Sequence, residues 1–118
     1  MFQPVPVSVI ETEVFLSSTS KLLTEAERAL LIDHLAYNPV AGAVIPGTGG
    51  VRKLRWGLEG RGKRGGARII YFYHNGDMPV FALTAYAKNE QADLSQQDCN
   101  DLKSLTRILV FEFTRRET

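Results

Sequence analysis

Seven of the chain's fourteen basic residues fall between positions 52 and 68: Arg52, Lys53, Arg55, Arg61, Lys63, Arg64 and Arg68, with Glu59 the one acid among them. Cations packed this closely suit the recognition and charge stabilisation of phosphate. An arginine's planar fork gives two directed donors to phosphate oxygens and stays charged throughout. The segment carries a local net charge of +6, against −3 for residues 1–50 and −2 for residues 69–118, so the total of +1 conceals a charge dipole. Such a stripe focuses potential and makes a polyanion a reasonable partner for one face; a solvated loop carrying cations for solubility is the plainer reading of the same charge.

Other chemistries find less material. The lone Cys99 has no partner for an internal disulfide, and the two histidines, His34 and His74, do not stand at metal-ligand spacing, so the sequence points to no metal, no cofactor and no oxidising compartment. The glycines of GLEGRGKRGG do not form a Walker-type phosphate loop, because no Gly-Lys-[Ser/Thr] opens a helix there. Residues 1–10 lack the basic start and long apolar core of a signal peptide, and no apolar run approaches the roughly 20 residues of a membrane span. The expectation is a cytoplasmic protein with no membrane partner.

The elements that must position the cations are legible around them. VRKLRW reads as a strand, the glycine-rich stretch as a loop, and ARIIYFYH and PVFALTAYA as two strands joined at Asn75-Gly76-Asp77, with both central residues of a tight hairpin turn expected at positive φ. Upstream, positions 7–14 alternate as a strand whose start, marked by Pro4 and Pro6, lies at an edge. Thr24-Glu25-Ala26-Glu27 is a capping box, so a helix is predicted over 24–37 and stopped by Asn38-Pro39, with 17–23 a short turn before it. Residues 38–50, with four glycines and two prolines, read as irregular. Ser95 and Asp98 cap a closing helix over 96–114 with Leu102, Leu105, Leu109 and Phe113 at helical spacing.

The order β-α-β-β-β-α over residues 1–118 predicts one α+β domain: a small, mainly antiparallel sheet covered on one face by helices, with the other face left for function. Alternation puts Lys53 and Arg55 on one face of their strand and Leu54 and Trp56 on the other. The expected core is Leu54, Trp56, Ile70, Phe72, Leu83 and much of the closing helix.

GTGGVRKLRW, then GRGKRGGARIIYFY, then FALTAYAKNEQADLS resemble the RelE/HigB superfamily of bacterial toxins, most closely its HigB-like branch. The match is strong over about 40–95, and the combination of the three segments is specific where any one would be weak. The resemblance implies the toxin of a type II toxin–antitoxin pair that enters the ribosomal A site and cleaves mRNA without a metal. It implies as partners a cognate antitoxin, expected to be a helix-turn-helix protein, the ribosome with its mRNA, and operator DNA only through the antitoxin.

By position in the motif, Lys53 and Arg55 match the family's basic pair, Arg68 its phosphate-binding arginine and Lys88 the basic residue after the last strand. Glu90, two residues on, is placed to orient a cation or take a proton, with a surface ion pair to Lys88 as the structural alternative. Crowding by other cations would let Lys53 contribute as a base. Arg52 and the loop residues Arg61, Lys63 and Arg64 fit contact with ribosomal RNA. Where the RelE branch has a tyrosine after this segment the chain has Ser95, and Tyr71, Tyr73 or Tyr86 is left to stack on a nucleobase. His74, beside the turn, is set apart from Arg55; His34 reads as a core or interface residue. A non-catalytic nucleic-acid-binding module and a protein-interaction domain remain the alternative classes for the same residues.

Overall fold

The computed structural model describes residues 5–57, 66–90 and 93–116. Its elements are β1 (Val9–Glu11), α1 (Glu13–Thr19), α2 (Glu25–Tyr37), β2 (Ala43–Val44), β3 (Val51–Trp56), β4 (Ala67–Phe72), β5 (Val80–Ala87) and α3 (Gln96–Arg116). The strands form one five-stranded sheet in the order β1-β5-β4-β3-β2. Only the β1–β5 pairing is parallel, and a register irregularity interrupts β4–β5 between Ile70 and Tyr71. The class is the expected α+β with a mostly antiparallel sheet.

Local chemistry accounts for the boundaries. The Thr24–Glu27 box forms as expected: the Glu27 amide donates to Thr24 Oγ1 at 3.1 Å and the Thr24 amide to Glu27 Oε1 at 2.8 Å. Ser95 and Asp98 repeat the reciprocal arrangement before α3, each amide donating to the other's side chain at 3.0 Å. These bonds satisfy amide donors that a helix start leaves unpaired. The first strand is shorter than the predicted 7–14, because Thr12 turns the chain: its hydroxyl accepts from Phe15 N and starts α1 at Glu13, within the predicted strand, and the helix runs to Thr19, into the stretch 17–23 expected as a short turn. Within 38–50, read as irregular, Ala43 and Val44 add a two-residue edge strand opposite Lys53 and Arg52.

The connection from β4 to β5 departs from the hairpin expected at Asn75-Gly76. Neither residue has positive φ. Instead the Asn75 carbonyl accepts from Met78 N at 3.2 Å and its side chain from Asp77 N at 2.8 Å. Asparagine at the first position of an ordinary turn stabilises it through its side chain, and seven residues then separate the strands.

Helices cover both faces of the sheet, where cover on one was expected. All six β4 residues are buried, and a strand apolar on both sides needs a layer on each. On the first face Ala67, Ile69, Tyr71, Val80 and Ala82 pack with Phe15 of α1 and Leu31 and Leu35 of α2. Burial of each leucine contributes about 1.5–3 kcal/mol. On the second face Val51, Ile70, Phe72, Phe81, Leu83 and Tyr86 receive Leu102, Leu109, Val110 and Phe113 of α3. The expected core residues are therefore divided: Leu54 and Trp56 join the first face, and Ile70, Phe72 and Leu83 the second. Leu54 pairs across the ladder with Ile69, whose side chain lies with the first core, so it could not share a face with Ile70.

Candidate active site

The second face is apolar under α3 and changes character beside it. Lys53 pairs across the ladder with Ile70, and Arg55 pairs with Arg68, which in turn pairs with Tyr86 on β5. Lys53 and Arg55 are two residues apart on β3 and so point the same way. These side chains converge: Lys53, Arg55, Arg68 and Lys88, with Ala41, Leu54 and Ala43, line an open cleft of about 530 Å³. Four of the five residues expected to be catalytic are thus brought together.

Their environments differ. Arg55 and Lys88 are exposed. Arg68 is 6 % exposed, and among the described residues its one hydrogen bond is a long one, from Nη1 to the Ala67 carbonyl at 3.5 Å. No carboxylate pairs with it among the described residues. A buried, unneutralised guanidinium is costly, and an anion entering the cleft would offset that cost. Lys53 has a partner that the sequence reading did not give it: its ammonium lies 3.3 Å from Asp93 Oδ1, where cations alone were expected around it. The Leu94 backbone N–H, and then Lys53, hold the Asp93 carboxyl below its ordinary range.

Asp93 was overlooked as a site residue, although it is the aspartate of the quoted FALTAYAKNEQADLS segment. Glu90, the carboxylate singled out in its place, sits exposed in the turn after β5, outside the cleft lining, and forms no ion pair with Lys88. Position relative to Lys88 suggested Glu90. The turn at Lys88–Glu90 and the approach to α3 bring Asp93 to Lys53 instead.

Two other expectations are corrected. Arg52 lies on the first face, pairing with Tyr71, and its Nη1 donates to the carbonyls of Gly42 at 2.8 Å and Val40 at 3.4 Å. It is a structural anchor on the side away from the cleft, not a contact beside Lys53. Tyr71 is fully buried, its hydroxyl donating to Pro39 O and accepting from Gly42 N, both at 2.8 Å. It has no surface on which a nucleobase could stack. Tyr73 is half-buried against the same first core. Arg61, Lys63 and Arg64 lie outside the described residues.

Arg52 and Tyr71 nonetheless shape the cleft through the chain they hold. Gly42 sits between Ala41 and Ala43, which line it, and a Cβ at Gly42 would lie 2.9 Å from Tyr71 Cε1 and 3.0 Å from the Lys53 carbonyl oxygen. Only glycine lets this strand entry approach β3 so closely. Tyr86, on the second face, is 9 % exposed and its hydroxyl is buried without a hydrogen-bond partner. Burial and then Asp93 raise its pKa, opposed by Arg68. The histidines take no part: His34 stacks obliquely on Trp56 with ring centroids 5.4 Å apart, and His74 lies beyond the far end of β4.

A small α+β protein that gathers four cations on the uncovered part of one sheet face, one of them buried and without a carboxylate partner among the described residues, has the charge to attract an anion. The family model for the RelE toxin of the RelE / RelB toxin-antitoxin system matches residues 43–116, from β2 to the end of α3. The chain belongs to this toxin family, and the matched span contains every cleft-lining residue except Ala41. Membership brings a cognate antitoxin as partner. No helix among the described residues is long and apolar enough to cross a membrane.

Proposed function

We propose that the chain is a ribosome-dependent mRNA endoribonuclease of the HigB-like branch, acting in the cytoplasm and cutting mRNA in the ribosomal A site to stop translation. The observation that carries this reading is the buried Arg68, without a carboxylate partner among the described residues, at a cleft shared with Lys53, Arg55 and Lys88. In the reaction a ribose 2′-oxygen attacks the adjacent phosphorus. The bond to the 5′-oxygen breaks, the 2′-hydroxyl loses its proton and the departing oxygen gains one, leaving a 2′,3′-cyclic phosphate and a 5′-hydroxyl. The five-coordinate state carries more negative charge than the starting diester, and donors preset toward it stabilise it selectively. Arg68 meets the non-bridging oxygens, Lys53, oriented by Asp93, adds a second fixed charge, and Arg55 and Lys88 hold the flanking strand from the rim.

The ribosome supplies what this cleft does not, an mRNA held so that the 2′-oxygen lies in line with the leaving group. Operator DNA is met only through the antitoxin. The test is expression of the chain with and without its antitoxin, followed by mapping of mRNA ends. Arrest of translation and new ends at ribosome-bound codons are expected from the chain alone. Arrest without new ends would favour a cleft that binds nucleic acid and does not cut it.

A further inference from the structure

A second cleft lies at the other end of α3 and plays no part in the chemistry above. It measures about 510 Å³ and is lined by Gly49, His74, Lys103, Thr106, Arg107, Val110, Phe111 and Thr114. Arg68 stands near the start of β4 and His74 just beyond its end. At about 3.3 Å per residue the two clefts are therefore separated by roughly 20 Å.

The loop before β3 builds one wall. The Thr106 hydroxyl donates to the Thr48 carbonyl at 3.1 Å in a buried bond, and Gly49, at φ +79°, passes so close that a Cβ there would collide with Thr106 Oγ1. The other wall is α3 itself. Lys103, Arg107, Val110, Phe111 and Thr114 succeed one another at intervals of three or four residues or side by side, so they form one continuous flank of the helix. Chemically the cleft is an apolar floor of Val110 and Phe111 under a basic rim of Lys103, Arg107 and His74, and no aspartate or glutamate lines it. Phe111 is 62 % exposed and the neighbouring Ile108 58 %, large apolar surface of the kind that marks an interaction site when rimmed by polar groups.

We infer that this cleft is the docking site for an acidic, amphipathic segment of the antitoxin, which seats an apolar side chain against Val110 and Phe111 and sets carboxylates against Lys103 and Arg107. The charge of the rim selects an acidic partner, and the apolar floor selects a peptide over RNA, whose phosphates would gain nothing from it. A segment held here leaves Lys53, Arg55 and Arg68 uncovered. The inference rests on the toxin–antitoxin pairing and not on the ribonuclease reading.

The test uses the full chain and its full-length antitoxin, with binding followed by calorimetry and toxicity by growth after expression of the chain alone. The double variant K103E/R107E, whose side chains are exposed, is expected to lose affinity for the antitoxin by about a hundredfold or more while remaining toxic. Phe111→Ala, which tests the floor without changing charge, is expected to weaken binding about tenfold or more. Arg55→Ala should do the reverse, losing toxicity and keeping antitoxin affinity within about tenfold. Unchanged antitoxin affinity in K103E/R107E and Phe111→Ala would overturn the inference. So would a K103E/R107E chain that binds antitoxin normally and has lost toxicity, which would assign the cleft to RNA. A chain that dimerises through this face, with the dimer lost in K103E/R107E, would overturn it too.

Discussion

Tyr71 and Tyr86 are both buried in the sheet, on opposite faces, and their hydroxyls have opposite fates. Tyr71, on the face covered by α1 and α2, has both hydrogen-bonding roles filled by the strand entry at Pro39 and Gly42. Tyr86, beside Arg68 on the face that carries the cleft, has neither filled. The arginines repeat the contrast. Arg52 is tied to backbone carbonyls on the first face, whereas Arg68 on the second is buried with one long bond to its neighbour's carbonyl. The contrast is one of degree: on the first face the Tyr71 hydroxyl and Arg52 Nη1 find backbone partners while Arg52 Nε has none, and on the second the Tyr86 hydroxyl and most of the Arg68 guanidinium lack one beside an open cleft, an arrangement that suits an external anion.

The sharpest way to break this comparison is to truncate the central cation. If Arg68 meets the charge that develops on phosphate, Arg68→Ala lowers ribosome-dependent cleavage by about 10²-fold or more with ribosome affinity little changed. Single-turnover cleavage and binding measured on the same ribosomes check this. A loss confined to binding would make Arg68 a positioning contact like any other.

Tyrosine substitutions separate the faces by stability. Tyr71→Phe leaves the Gly42 N–H and the Pro39 carbonyl without their partner and is expected to cost about 1–3 kcal/mol in denaturant unfolding, whereas Tyr86→Phe removes an unpartnered hydroxyl and is expected to be neutral or stabilising within about 1 kcal/mol. Burial raises the pKa of both tyrosines above the ordinary 10.0. Their contribution to stability is thus complete below that value and is lost as pH rises through the higher folded-state values. Tyr71→Phe should remove part of that alkaline loss, seen as a flatter unfolding midpoint above pH 10.

The smallest effect is expected at Asp93. Its carboxyl is held below the ordinary 3.8 by Leu94 N–H and Lys53. Its contribution is present above that pH and disappears as the pH falls through the lower folded-state value. Asp93→Asn should therefore flatten the acid side of the stability profile slightly, with melting followed from pH 6 to pH 2; an unchanged profile would mean that the pair with Lys53 orients the lysine without stabilising the fold.

What the sequence disclosed follows from the range of the interactions involved. The caps at Thr24 and Ser95 are short-range, with partners three residues apart, and both helix starts were legible. The cleft cations were legible as well, since their types and spacing carry the signal. What escaped depended on long-range placement. Alternation told that Lys53 and Leu54 part company but not which face of β4 each would meet, because that is fixed by the pairing of Arg55 with Arg68. Asp93 escaped because it reaches Lys53 only when the chain leaves β5 and turns toward α3. The positive-φ turn at Asn75-Gly76 failed because the asparagine side chain favoured another turn. Tyr71 read as a candidate stacking platform because its type allows it; the two hydrogen bonds that bury it come from residues about thirty positions away.

The central claim, that Lys53, Arg55 and Arg68 stabilise 2′-hydroxyl attack on mRNA positioned by the ribosome, is tested most directly by the chemistry of the cut ends. Purified chain is incubated with a defined mRNA, either bound to ribosomes with an open A site or naked, and the termini are identified by mass spectrometry. The account requires 2′,3′-cyclic phosphate and 5′-hydroxyl ends that form on ribosomes and are lost with Arg68→Ala. Ends bearing a 5′-phosphate, or naked RNA cut at a comparable rate, would contradict it.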